Sequence, residues 1–138
     1  MSQIHTGGCH CGNLRYQFDA PLEDIAHCHC AICRRTSGGT VMTWTSVPLT
    51  TFQWLAGSPA TYDSGPTCIR YFCGNCGAHT ALFTRNSPQE IDVVIATLDH
   101  PELAAPSAHL HRKPIAMAAP GRALAGERGG AGLKRVRN

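Results

Sequence analysis

Long apolar runs are missing from this chain of 138 residues. Because no stretch of about 18 consecutive apolar residues exists, the sequence predicts no membrane-spanning helix. Residues 1–5 also lack the basic and apolar stretches of a secretory signal. We therefore expect a cytoplasmic protein with no membrane partner.

Residues for a hydrophobic core are scarce as well. Isoleucine, leucine, valine and phenylalanine together make up less than a fifth of the chain. The net charge is only +3, which excludes a strongly self-repelling disordered chain. The compositional anomaly is the presence of eight cysteines. We therefore expect cysteine chemistry to stabilise the fold where apolar burial falls short.

Aromatic residues are absent from the last 55 positions. Residues 1–111 carry a net charge of −3, whereas residues 112–138 carry a net charge of +6. The sequence thus predicts a compact domain over residues 1–113 and a flexible basic tail, rich in Ala, Gly, Pro and Arg, over residues 114–138. The loose basic cluster favours a solvated tail, and a nucleic-acid contact arm is the alternative.

Strand patterns dominate the domain. Leu14, Tyr16 and Phe18 alternate with polar residues, which is typical of a half-buried strand. Turn-forming residues recur about every ten positions, the spacing of an all-β domain. Further strands are predicted at residues 41–47, 52–55, 61–63, 69–72, 80–84 and 91–98. The best helical candidate is residues 31–36, so the predicted fold class is mainly β.

Seven of the eight cysteines fall into three groups. Cys73 and Cys76 form a Cys-x-x-Cys turn followed by glycine, a spacing that lets two thiolates converge on one metal ion about 2.3 Å from each sulfur. A pair supplies only half of a tetrahedral site. The glycine-flanked pair Cys9 and Cys11 is the natural complement, so the sequence predicts a closed four-thiolate site.

The third group consists of Cys28, Cys30 and Cys33, and it is different in kind. Three thiolates within six residues can bind one face of a zinc ion, and no fourth cysteine lies nearby in the sequence. Three protein ligands plus an exchangeable one form the arrangement of a catalytic zinc site. A histidine as fourth ligand would close the site and remove that implication. The candidates are His27, His29 and His79.

Other cysteine chemistry competes with metal binding. Disulfides are disfavoured in a reducing cytosol, and an iron–sulfur cluster needs four thiolates at other spacings. A redox motif at Cys73 and Cys76 would normally precede a helix, whereas here the flanks are strand-like. Metal binding is therefore the favoured interpretation for the seven grouped cysteines. The remaining Cys68 is interpreted as a buried small apolar residue.

Four segments together carry a family resemblance. They are Gly8-Cys9-His10-Cys11-Gly12, Cys28-His29-Cys30-Ala31-Ile32-Cys33-Arg34, Phe72-Cys73-Gly74-Asn75-Cys76-Gly77 and Thr97-Leu98-Asp99. Over about residues 7–111 the chain resembles the glutathione-dependent formaldehyde-activating enzyme family, which also includes centromere protein V. The resemblance implies a β-tent fold of small antiparallel sheets with two zinc ions per chain.

The resemblance also implies a role for each cysteine cluster. The implied ligands are Cys9, Cys11, Cys73 and Cys76 for a structural zinc, and Cys28, Cys30 and Cys33 for a catalytic zinc. The implied activity is that of a carbon–sulfur lyase, the reversible joining of glutathione and formaldehyde into S-hydroxymethylglutathione. The implied partner is a small thiol such as glutathione. The alternative function is a non-catalytic zinc-stabilised binding module that contacts nucleic acid through the basic tail.

Charged residues beside the triplet suggest additional roles. Arg34 and Arg35 could hold a glutathione carboxylate or be solvated surface charges. His27 and His29 could relay a proton or simply orient the ligands. The chain departs from the family pattern after residue 111, where relatives usually continue with a tryptophan-containing segment.

Overall fold

The structure is a computed structural model that describes residues 2–104 and 108–110, with side chains described up to residue 104. Within those residues the chain forms ten β-strands and one α-helix. In chain order they are β1 (Ile4–Gly8), β2 (Arg15–Asp19), β3 (Ile25–Cys28), α1 (Ala31–Ser37), β4 (Met42–Pro48), β5 (Phe52–Ala56), β6 (Ala60–Asp63), β7 (Cys68–Phe72), β8 (His79–Thr84), β9 (Glu90–Val94) and β10 (Ala108–Leu110).

The smaller sheet consists of β1, β2 and β5, with β2 in the middle and both pairings antiparallel. Successive side chains of a strand point to opposite faces of the sheet. On β2 this alternation buries Tyr16 and Phe18 and leaves Arg15 and Gln17 partly exposed. The half-buried strand that the alternation predicts is therefore present.

The larger sheet has the strand order β10–β3–β4–β9–β8–β7–β6. Neighbouring strands run antiparallel, except that β10 pairs with β3 in parallel. The prediction of a mainly β fold built from antiparallel sheets is confirmed. In the part of the chain that the structure describes, the β10–β3 pair is the one departure from that pattern.

The two faces of the larger sheet have different neighbours, and β9 contributes to both, with Ile91 and Val93 on one face and Asp92 and Val94 on the other. One face packs against the smaller sheet, where Val47 and Val93 cluster with Tyr16 and Phe18. The other face carries Trp44, Leu82 and Val94, which cluster with Cys28 and Cys33. The second face therefore places apolar side chains directly under cysteine sulfurs.

The strand predicted over residues 91–98 is partly wrong. It ends at Val94, and Ile95–Thr97 forms a 3₁₀ turn that the Leu98 N–H closes on the Ile95 carbonyl at 3.0 Å. Ile95 and Leu98 are both buried, so the apolar pattern continues although the strand does not. In residues 91–98, the apolar composition therefore indicates burial rather than backbone conformation.

Two further predictions concern the ends of the chain and its helices. In the described part of the chain, no helix has the length and apolar character needed to cross a bilayer. The domain boundary predicted at residue 113 and the tail predicted over residues 114–138 lie outside the described residues.

Candidate metal centres and the adjoining cavity

Two loops bring four cysteines together, and we name this group the four-sulfur cluster. The loop after β1 carries Cys9 and Cys11, and the loop after β7 carries Cys73 and Cys76. All four sulfur atoms lie within 4.8 Å of one another. Cys11 Sγ lies 3.6 Å from Cys9 Sγ and 3.7 Å from Cys73 Sγ. The structure thus places the two pairs that the spacing singles out at one point in space.

Backbone N–H groups in these two loops point at the sulfur atoms. The Leu14 N–H donates to Cys9 Sγ at 3.2 Å, and the Cys76 N–H donates to Cys73 Sγ at 3.5 Å. The second loop turns back at Gly77, whose φ of +78° favours glycine and whose N–H bonds the Cys73 carbonyl at 2.8 Å. Such donors stabilise the charged form of a thiol. At Cys9 burial raises the pKa, but the Leu14 N–H and the neighbouring thiols outweigh it and lower the pKa. At Cys73 the Cys76 N–H lowers the pKa, but burial and the neighbouring thiols outweigh it and raise the pKa.

The sulfur separations test which chemistry fits the four-sulfur cluster. A tetrahedron with zinc–sulfur bonds of about 2.3 Å has edges of about 3.8 Å, close to the two observed separations. A disulfide would require a sulfur–sulfur distance of about 2.05 Å, and all eight cysteines are free thiols. The donor set and its geometry therefore fit a zinc ion.

Cys28, Cys30 and Cys33, which we call the triplet, meet where β3 passes into α1. Cys28 ends β3, Cys30 is the N-cap of α1, and Cys33 lies in the first turn of that helix. The Cys30 Sγ accepts the Cys33 N–H at 3.2 Å, as an N-cap side chain does with the third helical residue. The three sulfur atoms lie within 4.8 Å of one another, so the triplet could also hold a metal ion.

The triplet has three ligands rather than four. Among the described residues, no histidine, aspartate, glutamate or fourth cysteine belongs to this group. The His27 Nδ1 instead lies 2.8 Å from the Thr43 Oγ1, and His79 packs edge-on against Trp44 with ring centroids 5.3 Å apart. As far as the described side chains go, a tetrahedral ion bound by the triplet would therefore keep one position for an external ligand.

Charge repulsion within the triplet calls for a cation. Burial, together with the neighbouring thiols of Cys28 and Cys30, raises the pKa of Cys33 to about 12. Burial also raises the pKa of Cys28. At Cys30 burial acts in the same direction, but the Cys33 N–H and the neighbouring thiols outweigh it and lower the pKa. Positive charge beside the triplet, such as a divalent metal ion supplies, would favour the three thiolates.

A cavity of about 510 Å³ adjoins the triplet, and all three of its cysteines line that cavity. Trp44 and Leu82 form part of an apolar wall, since both belong to the buried cluster that contains Cys28 and Cys33. Ser46, Arg70 and Asp92 add polar groups to the lining. The open side of the triplet thus has room for a small organic ligand.

The comparisons with known proteins agree with this geometry. The family model of the glutathione-dependent formaldehyde-activating enzyme matches residues 4–113, well over half of the chain. The chain belongs to this family. The match includes all seven clustered cysteines, and it confirms the resemblance that the cysteine motifs carry.

A solved structure supports the membership at the level of the fold. A crystal structure of a Rhodobacter sphaeroides protein is similar to this chain with a TM-score of 0.63 and 25% sequence identity. The likeness covers 75% of this chain and 98% of that chain. The fold shared with that protein therefore covers three quarters of this chain.

In this family member, Arg70 is a site residue that sequence reasoning misses. It lies on β7 with only 4% of its surface exposed. Its Nε donates to the Ser64 Oγ at 3.1 Å, and its Nη2 donates to the Cys33 Sγ at 3.9 Å. The sequence does contain one sign of this role, since Arg70 stands among the otherwise apolar residues 69–72, which are predicted as a strand. A charged residue in such a strand is rarely buried without a partner.

The arginines that the sequence singles out lie elsewhere. Arg34 and Arg35 occupy the last turn of α1, where a positive charge is favourable beside the helix carboxyl end. Neither residue lines the cavity beside the triplet. The guanidinium group that the structure provides at the cavity is that of Arg70.

Other residues of the cavity also escape the sequence patterns. Cys68, interpreted as a buried small apolar residue, packs against the apolar cluster beside the triplet, but it is only half-buried because it lines the cavity. The sequence alone does not indicate that Ser46 and Asp92 meet at the cavity, because only the pairing of β4 with β9 places them opposite each other. The Ser46 hydroxyl donates to the Asp92 Oδ1 at 2.5 Å.

Proposed function

We propose that this protein is a zinc-dependent carbon–sulfur lyase. It forms and breaks the adduct of a small thiol with a small aldehyde, and glutathione with formaldehyde is the first candidate pair. The observation that carries the proposal is a three-sulfur site, one ligand short of closure, that opens into a cavity. Membership of a family of glutathione-dependent formaldehyde-activating enzymes supports the same substrate class.

The two clusters have separate roles in this proposal. Cys9, Cys11, Cys73 and Cys76 hold a structural zinc, and Cys28, Cys30 and Cys33 hold a catalytic zinc. A structural zinc contributes about 10–16 kcal/mol of apparent folding free energy in small domains. Zinc bound by three thiolates supplies a position at which a substrate thiol binds as its thiolate.

The residues around the triplet prepare the cavity for that chemistry. The Arg70 guanidinium donates to Cys33 and thereby reduces the repulsion among the thiolates. Trp44 and Leu82 exclude water from one wall, which strengthens every electrostatic interaction inside. Helix α1 fixes Cys30 relative to Cys33 through its N-cap hydrogen bond. The geometry of the ligands is therefore set before substrate arrives.

The proposal includes an assignment of domains and location. Residues 1–113 form the zinc-binding domain, and residues 114–138 form a basic tail that takes no part in the chemistry. The grouping of seven cysteines into two metal-compatible clusters favours a reducing compartment, where glutathione is also abundant. We therefore assign the protein to the cytoplasm.

A Cys30→Ala variant tests the function. It should lose one of two zinc ions and the enzymatic acceleration of adduct formation and breakdown, because the triplet then has only two sulfurs. Loss of the N-cap should cost about 1 kcal/mol, which leaves the domain folded by circular dichroism. The measurements are zinc per chain and adduct exchange between glutathione and formaldehyde above the uncatalysed rate.

The matched control is Arg35→Ala, since Arg35 is exposed on the same helix and lies outside the cavity. This control should keep both zinc ions and the wild-type rate. Unchanged turnover in Cys30→Ala, or no acceleration by the zinc-loaded wild-type chain, overturns the proposed function.

A further inference from the structure

Adduct chemistry needs a group that moves a proton. When a thiolate adds to an aldehyde, the carbonyl oxygen gains negative charge, and the adduct is complete only when that oxygen receives a proton. In the described part of the chain, no histidine lines the cavity. Arg70 lines it, but a guanidinium stays protonated and cannot exchange a proton at neutral pH. The carboxyl groups in the lining belong to Asp24 and Asp92.

Strand register distinguishes Asp92 from Asp24 as the candidate proton donor. Ser46, Asp92, Leu82 and Arg70 lie opposite one another on β4, β9, β8 and β7. Directly opposite residues present their side chains on the same face, so all four belong to the face that carries the cavity. Asp92 is half-buried in this row, whereas Asp24 is exposed before β3. Asp92 is thus the carboxyl group built into the cavity floor.

The neighbours of Asp92 support the metal ligands directly. Leu82 lies opposite Asp92, and Val94 lies two residues along the same strand, hence on the same face. Both belong to the buried cluster that contains Cys28 and Cys33. Across Leu82, about two strand spacings or 10 Å from Asp92, Arg70 donates to the Cys33 Sγ. Asp92 and Arg70 therefore flank the apolar floor on which the triplet lies.

We propose that Asp92 is a further catalytic residue, the acid and base that gives a proton to the adduct oxygen and takes it back. The inference rests on the proposed function and adds to it the group that handles the proton. In the forward direction the thiolate sulfur forms a bond to the carbonyl carbon. The C=O π pair moves to the oxygen, which takes the proton of the Asp92 carboxyl group. In reverse the Asp92 carboxylate takes the hydroxyl proton, the C=O bond re-forms and the C–S bond breaks with its pair on sulfur. The proton exchanges with solvent between turnovers.

The surroundings of Asp92 favour this task. Burial raises the pKa of Asp92, the nearby Glu90 carboxylate acts in the same direction, and the Ser46 hydroxyl acts against them. A carboxyl group with a raised pKa is a better proton donor near neutral pH than an ordinary aspartate. The other ionisable groups that line the same cavity are Asp24, Cys28, Cys30, Cys33, Cys68 and Arg70.

Asp92→Asn is the first test, because it keeps the shape of the side chain and removes its proton transfer. The value of kcat for adduct exchange should fall by about 10²–10⁴-fold, with KM and both zinc ions unchanged. Asp92→Glu should recover part of that loss, since it restores a carboxyl group. A raised KM with unchanged kcat would show a binding role, and unchanged kinetics would show no role, so either result overturns the inference.

The pH dependence of the rate is a second test, because a purely structural role of Asp92 would not change it. In the breakdown direction the carboxylate is the active form, so the rate should fall as the pH falls through the Asp92 pKa. Ser46→Ala removes a hydrogen-bond donor that favours the Asp92 carboxylate. The acidic limb of the pH–rate profile, where the rate falls, should therefore move to higher pH. The chemical shift of the Asp92 carboxyl carbon, followed by NMR in the zinc-loaded protein, should titrate with a midpoint that Ser46→Ala moves to higher pH by the same amount. Persistence of the limb in Asp92→Asn contradicts the assignment.

Glu90→Gln is the matched control, since it removes a carboxylate on the same strand outside the cavity. It should keep the plateau rate of the wild-type chain and move the acidic limb to lower pH, because Glu90 raises the Asp92 pKa.

The two proposals fail differently. A zinc-loaded wild-type chain without activity removes the proposed function, whereas an active chain that tolerates Asp92→Asn removes this inference alone.

Discussion

The two cysteine clusters differ in what they connect. The four-sulfur cluster joins loops that are far apart in the sequence, since Cys11 and Cys73 are separated by 62 positions. The triplet lies within six residues, at the passage from β3 into α1. The first cluster links distant parts of the chain, whereas the second adds almost no long-range connection. This difference supports the proposal that the four-sulfur cluster serves stability and the triplet serves reactivity.

The two clusters also differ in how their charge is compensated. Backbone N–H groups of Leu14 and Cys76 donate to sulfurs of the four-sulfur cluster. The triplet also has backbone donors, the Cys33 N–H to Cys30 among them, and it adds the buried Arg70 guanidinium. Backbone donors are fixed by the loop, whereas a side chain beside a cavity can also influence what binds there. This difference matches a closed site in one case and a site open to ligand in the other.

The largest effect that the comparison predicts comes from the four-sulfur cluster. Cys73→Ala should unfold the domain, because loss of a structural zinc removes about 10–16 kcal/mol of folding free energy and a whole domain has only about 5–15 kcal/mol. The measurement is far-ultraviolet circular dichroism together with zinc content, with Cys30→Ala as the folded reference. A folded Cys73→Ala chain with a single zinc would remove the distinction between the clusters.

Sequence patterns predict those parts of the molecule that depend on local spacing. The Cys-x-Cys and Cys-x-x-Cys motifs indicate both clusters, and the alternation of Tyr16 and Phe18 indicates β2. The strand pattern misses β1 and β3, because β1 ends in two glycines and β3 has only four residues, one of them β-branched. Such strands form because neighbouring strands pair with them.

The polar residues of the cavity depend on information that local spacing does not contain. Arg70, Asp92 and Ser46 lie on three different strands, and only the pairing of β4, β9, β8 and β7 aligns them. Arg34 and Arg35 follow the triplet directly in the sequence, yet they lie outside the cavity. Proximity along the chain is thus a poor guide to the cavity, because α1 carries the residues that follow Cys33 away from it.

A smaller effect is predicted at the triplet. Arg70→Met should weaken zinc binding there about 10- to 100-fold, since a hydrogen bond to a charged group contributes about 1.5–3 kcal/mol. Zinc affinity of the four-sulfur cluster should stay unchanged, because the Arg70 side chain bonds to Ser64 and to Cys33 of the triplet. Competition with a chromophoric chelator resolves the two affinities. Equal weakening at both clusters would show a general loss of stability instead.

The smallest effect concerns an ion pair next to the four-sulfur cluster. Arg15 pairs with Asp99 through its two terminal guanidinium nitrogens, and the Thr6 hydroxyl donates to the same carboxylate at 2.5 Å. Arg15, with Thr6, lowers the pKa of Asp99 to about 2, so its contribution to stability is present above about pH 4 and lost only as the pH falls towards 2. The pair therefore stays charged throughout the neutral range.

Asp99→Asn should lower the free energy of unfolding at pH 7 by about 0.2–1 kcal/mol, since both side chains are 36% exposed and screened by solvent. The difference from wild type should shrink in high salt. Denaturant unfolding of the zinc-loaded chains measures both quantities, and activity should not change. A loss that salt does not reduce would indicate packing rather than charge.

The spacing of the ligands also sets an order in which the two ions can be taken up as the chain is made. The triplet is complete once Cys33 has left the ribosome, whereas the four-sulfur cluster must wait for Cys76. β3, which carries Cys28, gains its outer neighbour only when residues 108–110 arrive. Under the proposed function, a nascent chain can therefore capture the ion of the triplet before the ion of the four-sulfur cluster, and before β3 has its final partner.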